Sequence, residues 1–211
     1  SPMPRQARLD APGTLHHVIL RGIERGRIVA DAEDRAAFLG RLGDVATATG
    51  TPLYAWALLP NHAHLLLRSG PAGLPQVMRR LLTGYAQAYN RRHRRVGHLF
   101  QNRYKSIVVE EDPYFRELVR YIHLNPLRAR LVPDLPHLDR YPGCGHAGIQ
   151  RRQHPPWQDR AGFSSARQDP LLDVWKAGKL GRWEAETRYS SVAHRGASAG
   201  ILFPASSEWP H

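Results

Sequence analysis

Two histidines, His62 and His64, sit one residue apart in "LLPNHAHLLLRSG", residues 58 to 70, an otherwise apolar run. Side chains of a β-strand alternate faces with period two, so both imidazoles point the same way. A bare His-x-His is more often a polar pair on a half-exposed sheet than a site. Its meaning depends on what another element brings to the same face.

"PYFRELVRYIHLN", residues 113 to 125, can supply it. Phe115, Leu118, Val119 and Ile122 recur at helical spacing and make a buried stripe. Tyr121 and Asn125 lie one turn apart on one flank of that stripe, with Tyr114 further up the same flank. If this flank faces the histidines, the site holds two imidazoles, an amide oxygen and a phenol. Two neutral imidazoles and an amide oxygen can hold a divalent ion and leave positions open. No protein carboxylate is needed if a substrate phosphate brings the negative charge. The phenol, with an ordinary pKa of about 10, is a weak nucleophile that such a site could direct at phosphorus.

The remaining pattern predicts the elements that would position these groups. Residues 13–22 read as a strand. Asp31 caps a helix in which Phe38, Leu42 and Val45 recur and which Gly50 stops. Residues 51–60 and 62–68 form a hairpin, with the histidines beside its turn. A helix over 73–97 carries Met78, Leu82, Tyr85 and Tyr89 as a stripe. A fourth strand spans 103–112. Pro113 opens the last helix and Pro126 closes it. The order β-α-β-β-α-β-α predicts an α+β, ferredoxin-like split-βαβ fold: an antiparallel sheet with an added C-terminal catalytic helix. From residue 133 the texture turns rich in Pro, Gly and His. The expected division is a domain over 3–132 and an irregular, partly disordered C-terminal extension over 133–211.

Charge narrows the partner. Among 211 residues, 30 Lys and Arg face 18 Asp and Glu, a net +12, and most of the basic residues are arginine. An arginine-biased coding sequence would explain arginine over lysine but not the net charge. Arginine forks onto phosphates, so nucleic acid is the first expectation. Candidate DNA contacts are Arg21, Arg25 and Arg27 in "RGIERGR", Arg91, Arg92, Arg94 and Arg95, and Arg103 with Lys105. The lone Cys144 excludes an intrachain disulfide. No apolar run reaches the length of a membrane span, and we expect a cytoplasmic, nucleoid-associated bacterial protein.

These pieces resemble a known family. "PGTLHHVILRG", "WALLPNHAHLLL", "GHLFQNRYKSIVVE" and "YFRELVRYIHLNPLRARLV" resemble the REP-associated tyrosine transposases of the HUH (histidine–hydrophobe–histidine) single-strand endonucleases, over roughly residues 3–132. The resemblance implies that His62 and His64 are ligands of Mg²⁺ or Mn²⁺, with Asn125 as the third. It implies Tyr121 as the nucleophile that takes the 5′ phosphate. It implies cleavage and strand transfer on single-stranded DNA at hairpins of the repetitive extragenic palindrome (REP) type, by a monomer or homodimer. Two rivals predict no covalent adduct: a silent, domesticated hairpin-binding regulator, and an RNA-binding ferredoxin-like module.

Overall fold

The computed structural model describes residues 10–109, 115–146 and 157–158. Its elements are β1 (Leu15–Arg21), α1 (Ala32–Thr49), β2 (Leu53–Leu58), β3 (His62–Arg68), α2 (Leu74–Arg92), β4 (Lys105–Val108), α3 (Phe115–Arg128) and α4 (Leu135–Leu138). The strands form one antiparallel sheet in the order β2-β3-β1-β4. This is the split-βαβ arrangement expected from the sequence: each βα unit leaves a gap that a strand of the other unit fills.

Alternation sorts the sheet residues into two faces. Val18, Leu20, Leu58, Leu65 and Leu67 turn to one face and are buried with Phe38, Leu42, Met78, Leu81 and Tyr85 from α1 and α2. α1 starts as its sequence suggests: the Asp31 carboxylate accepts from the Asp34 amide at 3.0 Å, and Gly50 ends it in the left-handed region at φ 59°. The apolar stripe of α2 runs through Leu81, whereas Leu82 is only partly buried.

The opposite face receives α3. The β2 residues turned that way are Ala55 and Ala57, both fully buried, and their short side chains let the helix approach. Leu118, Val119 and Ile122 bury against this face. Residues beyond 132 close the outer edge of β2. The Leu58 amide donates to Gly143 O at 2.6 Å and the Gly145 amide to Trp56 O at 3.0 Å. Backbone pairing here removes an open sheet edge. A Cβ on Gly145 would meet Trp56 Nε1, Gln158 Nε2 and His123 Nε2 at 3.0–3.1 Å, so glycine lets this strap pack closely against them. The compact unit holding these residues spans Ser1–Asp159; Arg160–His211, where the disordered tail was expected, lie outside the described residues.

Two helix ends depart from expectation. α2 stops at Arg92, five residues early. Arg94 adopts φ 51°, Gly97 adopts φ 93°, and Asn90 Nδ2 donates to Gly97 O at 2.8 Å, so the basic run becomes a turn. α3 does not close at Pro126 but continues to Arg128. Proline removes only its own N–H and leaves later bonds intact: the Ala129 amide donates to Asn125 O at 2.8 Å. The predicted start of this helix at Pro113 and the end of the fourth strand at 110–112 lie outside the described residues.

Asp34 ties α1 to the end of α2. It is 2% exposed, accepts from the Ala30 amide at 2.9 Å, and meets Arg92 at 2.6 Å and His93 at 2.8 Å. Asp34→Ala should therefore destabilise the fold by about 2–3 kcal/mol, because the Ala30 amide and His93 lose the buried carboxylate that satisfies them. Urea unfolding measures this; a change below about 0.5 kcal/mol would contradict the role assigned to Asp34.

Candidate functional site

The register of β1 on β3 builds the site. Arg21 stands opposite His62 and Ile19 opposite His64, so His17, Ile19 and Arg21 share the face of His62 and His64. β4 adds Lys105 opposite Ile19. α3 lies over this face and brings Tyr121. Its ring centre is 5.8 Å from that of His64 and 6.1 Å from that of His17, edge-on to both. The rings of His62 and His64 are 5.2 Å apart. Strand pair and helix flank, read separately in the sequence, thus meet within one chain.

Hydrogen bonds fix which atoms are available. His62 Nδ1 is 2.7 Å from Asn61 Oδ1, an acceptor, so Nδ1 carries the proton and Nε2 the lone pair. His64 Nδ1 is 3.0 Å from His17 Nε2, which leaves Nε2 of His64 as its other face. Asn125 Nδ2 donates to the Tyr121 carbonyl at 2.8 Å, so the amide oxygen is the atom left to meet a cation. Burial pushes the pKa of His17 down to about 3, helped by the charge of Lys105. Burial, then Arg21, pushes His62 down to about 4. His64 is pushed well down by burial and then by His17, His62, Arg21 and Arg128. These imidazoles are therefore neutral at pH 7, the form that ligates a metal. No three of His, Cys, Asp and Glu converge on a cation position among the described residues.

The phenol of Tyr121 is held above its ordinary range by burial, opposed by the charge of Arg128 and a hydrogen bond from the Asn125 side chain. The other tyrosines near basic residues are placed differently. Tyr85 is 1% exposed and donates to Ile28 O at 2.5 Å, while Tyr89 is buried beneath Arg95. Tyr114 lies outside the described residues.

The candidate DNA contacts divide into groups. Arg21 and Lys105 stand on the site face, and Arg25 lies close enough to Arg21 for its charge to add to burial in lowering the Arg21 pKa. Arg27, Arg91, Arg94 and Arg95 are exposed; Arg95 Cζ stands 5.9 Å from the Tyr89 ring centre, and the charge of Arg27 also reaches Tyr89. Arg103 is exposed just before β4. Arg92 is different: Asp31, Glu33 and Asp34 surround its guanidinium at 2.6–2.9 Å, which gives it a structural task.

Sequence reasoning left His17 and Arg128 without a role. In "LHHV" two adjacent histidines must face opposite sides of a strand, so one had to meet the His62–His64 face. His16 takes the other face, 2.9 Å from Ser106 Oγ. Arg128 was hidden because the helix was expected to end at Pro126.

A family model of IS200-like transposases matches residues 13–125. That match spans more than half of the chain and sets its class as a transposase: this chain belongs to the IS200-like transposase family. Among solved structures it is similar to a REP-associated tyrosine transposase bound to a REP hairpin, at 17% identity over 74% of this chain and 92% of that one, with a TM-score of 0.59. A crystal structure of a protein assigned as a transposase from Deinococcus radiodurans R1 is similar at 21% identity over 56% of this chain and 94% of that one, with a TM-score of 0.39, too low to add to the argument. Comparison with curated proteins finds no match. No helix among the described residues is long and apolar enough to cross a membrane.

Buried neutral histidines make the fold acid-sensitive. His123, fully buried on the other side of α3, is also pushed down to about 3, by burial and then by His146. In the unfolded chain a histidine takes up its proton near pH 6.5, in this fold only near 3. The stabilisation is therefore full above pH 6.5 and declines between the two values, at about 1.4 kcal/mol per pH unit for each such histidine. The melting temperature of metal-free protein should fall steadily from pH 7 to pH 5, and His123→Leu should flatten the fall. A melting temperature independent of pH in this window would contradict neutral burial.

Proposed function

We propose that this chain is a metal-dependent single-strand DNA endonuclease and strand transferase that works through a 5′-phosphotyrosine on Tyr121. The observation that carries the reading is the meeting of Tyr121 on α3 with His64 on β3, whose ring neighbours that of His62, within one chain, with Asn125 one turn along α3 from Tyr121. In this reading Tyr121 acts in cis. Its oxygen forms a bond to phosphorus, the bond from phosphorus to the 3′ oxygen breaks, and the proton lost by the phenol is balanced by one taken up at the 3′ hydroxyl. The exchange keeps one phosphodiester-level bond, so the strand can be rejoined without ATP.

His62, His64 and Asn125 are the residues that would hold Mg²⁺ or Mn²⁺, which when bound supplies Lewis-acid polarisation of the phosphodiester. The protein's own part is to keep both imidazoles neutral, to aim His62 through Asn61 and His64 through His17, and to set the phenol beside them. Such supporting bonds commonly change metal affinity by about 10–100-fold. The similarity to a transposase bound to a REP hairpin supports REP-type hairpin DNA as the substrate class. Arg21, Arg25, Arg27, Arg91, Arg94, Arg95, Arg103 and Lys105 are the proposed phosphate contacts, which position the strand without reading sequence.

The decisive experiment is formation of an SDS-resistant protein–DNA adduct with the palindromic repeats that flank the gene. Tyr121→Phe should abolish the adduct while hairpin binding stays within about 2-fold, since one hydroxyl is lost and the basic surface is unchanged. An adduct that survives Tyr121→Phe would remove the assigned nucleophile, and an intact tyrosine that yields none would favour a binding protein.

Cleavage should also stop in EDTA and return with Mn²⁺ or Mg²⁺. His62→Ala, His64→Ala and the double variant should be about equally inactive, because residues that build one site act as a unit. Full cleavage in EDTA would exclude the metal assignment.

A further inference from the structure

We propose that Arg128 is a further catalytic residue, whose guanidinium rests on the ring of Tyr121 and pairs with a non-bridging oxygen of the phosphate that Tyr121 attacks. The proposal rests on the reading of Tyr121 as the nucleophile.

The backbone makes the arrangement possible. Because α3 runs through Pro126, Tyr121, Asn125 and Arg128 stand at i, i+4 and i+7 and form one stripe. A helix that ended at Pro126 would not align the arginine with the tyrosine. Arg128 Cζ lies 5.0 Å from the centre of the Tyr121 ring. A guanidinium can hold an aromatic face and still offer N–H donors to an anion.

No carboxylate among the described residues claims this cation. Arg92 is matched by three carboxylates and Arg120 by Glu117 at 3.4 Å, whereas no carboxylate pairs with Arg128 among the described residues. Its side chain is exposed, and its charge reaches both Tyr121 and His64. The cations on the sheet side of the site are Arg21 and Lys105. Arg128 is the cation on the helix side, beside the nucleophile itself. A phosphorus poised for attack stands about 3–3.5 Å from the tyrosine oxygen. Its non-bridging oxygens then lie near the edge of the ring that Arg128 covers, where a charge-assisted hydrogen bond of about 2.7–2.9 Å can form. The trigonal-bipyramidal transition state concentrates charge on those oxygens, so the contact strengthens as the bond forms.

The test uses the full chain with Mn²⁺ and an oligonucleotide of the flanking repeat, its cleavage position mapped with wild-type protein. Two further oligonucleotides carry a stereochemically pure methylphosphonate at that position, each replacing one non-bridging oxygen by a neutral methyl. Adduct formation is timed for wild type, Arg128→Lys and Arg128→Gln, with binding measured alongside. Arg128→Gln should slow the adduct about 10²-fold, and Arg128→Lys less. Binding should weaken no more than about 3-fold, because one phosphate contact among several is lost. In wild type both methylphosphonates should slow the reaction. In Arg128→Gln one of the two should cost nothing further, because the oxygen it removes has already lost its partner. An arginine that only shelters the ring predicts instead that both methylphosphonates slow the variant as much as wild type, and that result overturns the proposal. So does Arg128→Gln reacting within about 3-fold of wild type on the natural phosphodiester. Absence of any wild-type adduct would overturn the nucleophile assignment, and this role with it.

Discussion

The antiparallel register of β1 on β3 is the constraint on which the site depends. It sets Arg21 opposite His62 and Ile19 opposite His64, so that His17, two residues before Ile19, shares their face and reaches His64. Because alternation has period two, a slip of one residue would send His17 and Arg21 into the layer of α1 and α2 and bring His16 and Leu20 to the site. The hydrophobic pattern forbids that slip. Val18, Leu20, Leu65 and Leu67 belong to the core of the helical layer, and exposing them would cost far more than any polar contact at the site returns.

Electrostatics follow from this placement. Burial keeps His17, His62 and His64 neutral, and the charges that perturb them come from Arg21, Lys105 and Arg128 or from one another. No acidic group contributes to these shifts among the described residues. Such a site has imidazole lone pairs and positive charge around them, and among the described residues no acidic group stands beside them. In the proposed reading a phosphodiester would bring the negative charge, which would tie metal and substrate to each other. Protons compete for the same lone pairs, and the depressed basicity of the imidazoles keeps them available at neutral pH.

The helix that carries Tyr121 is held from both sides. Ala55 and Ala57 admit it to the sheet, and the strap at Gly143–Gly145 closes the β2 edge beside it. Cys144 Sγ lies 3.4 Å from His123 O, and the His146 ring is 6.0 Å from that of His123. Residues beyond 132 thus help to position α3, although their sequence reads as irregular. The exposed basic turn after α2 has its own scaffold, in which Asp34 holds Arg92 and His93 and leaves Arg91, Arg94 and Arg95 to solvent.

Local pattern alone determined much of this protein. The strand and helix order, the shared face of His62 and His64, and the flank of Tyr121 and Asn125 were legible because each depends on spacing within one element. The Asp31 and Gly50 caps were legible for the same reason. Pairing between elements was not. Alternation in "LHHV" puts one of His16 and His17 on each face, but which of them meets His64, 47 residues from His17, is decided only once β1 lies between β3 and β4. Arg92 looked like a phosphate contact because its neighbours are basic, and only folding brings Asp31, Glu33 and Asp34 to it from the start of α1. Pro126 looked like a helix end because the local rule penalises its missing N–H. The tertiary structure decided otherwise: Leu118, Val119 and Ile122 anchor α3 on the sheet, and the carbonyls of Asn125 and Pro126 accept from Ala129 and Leu131, so the last turn forms and carries Arg128.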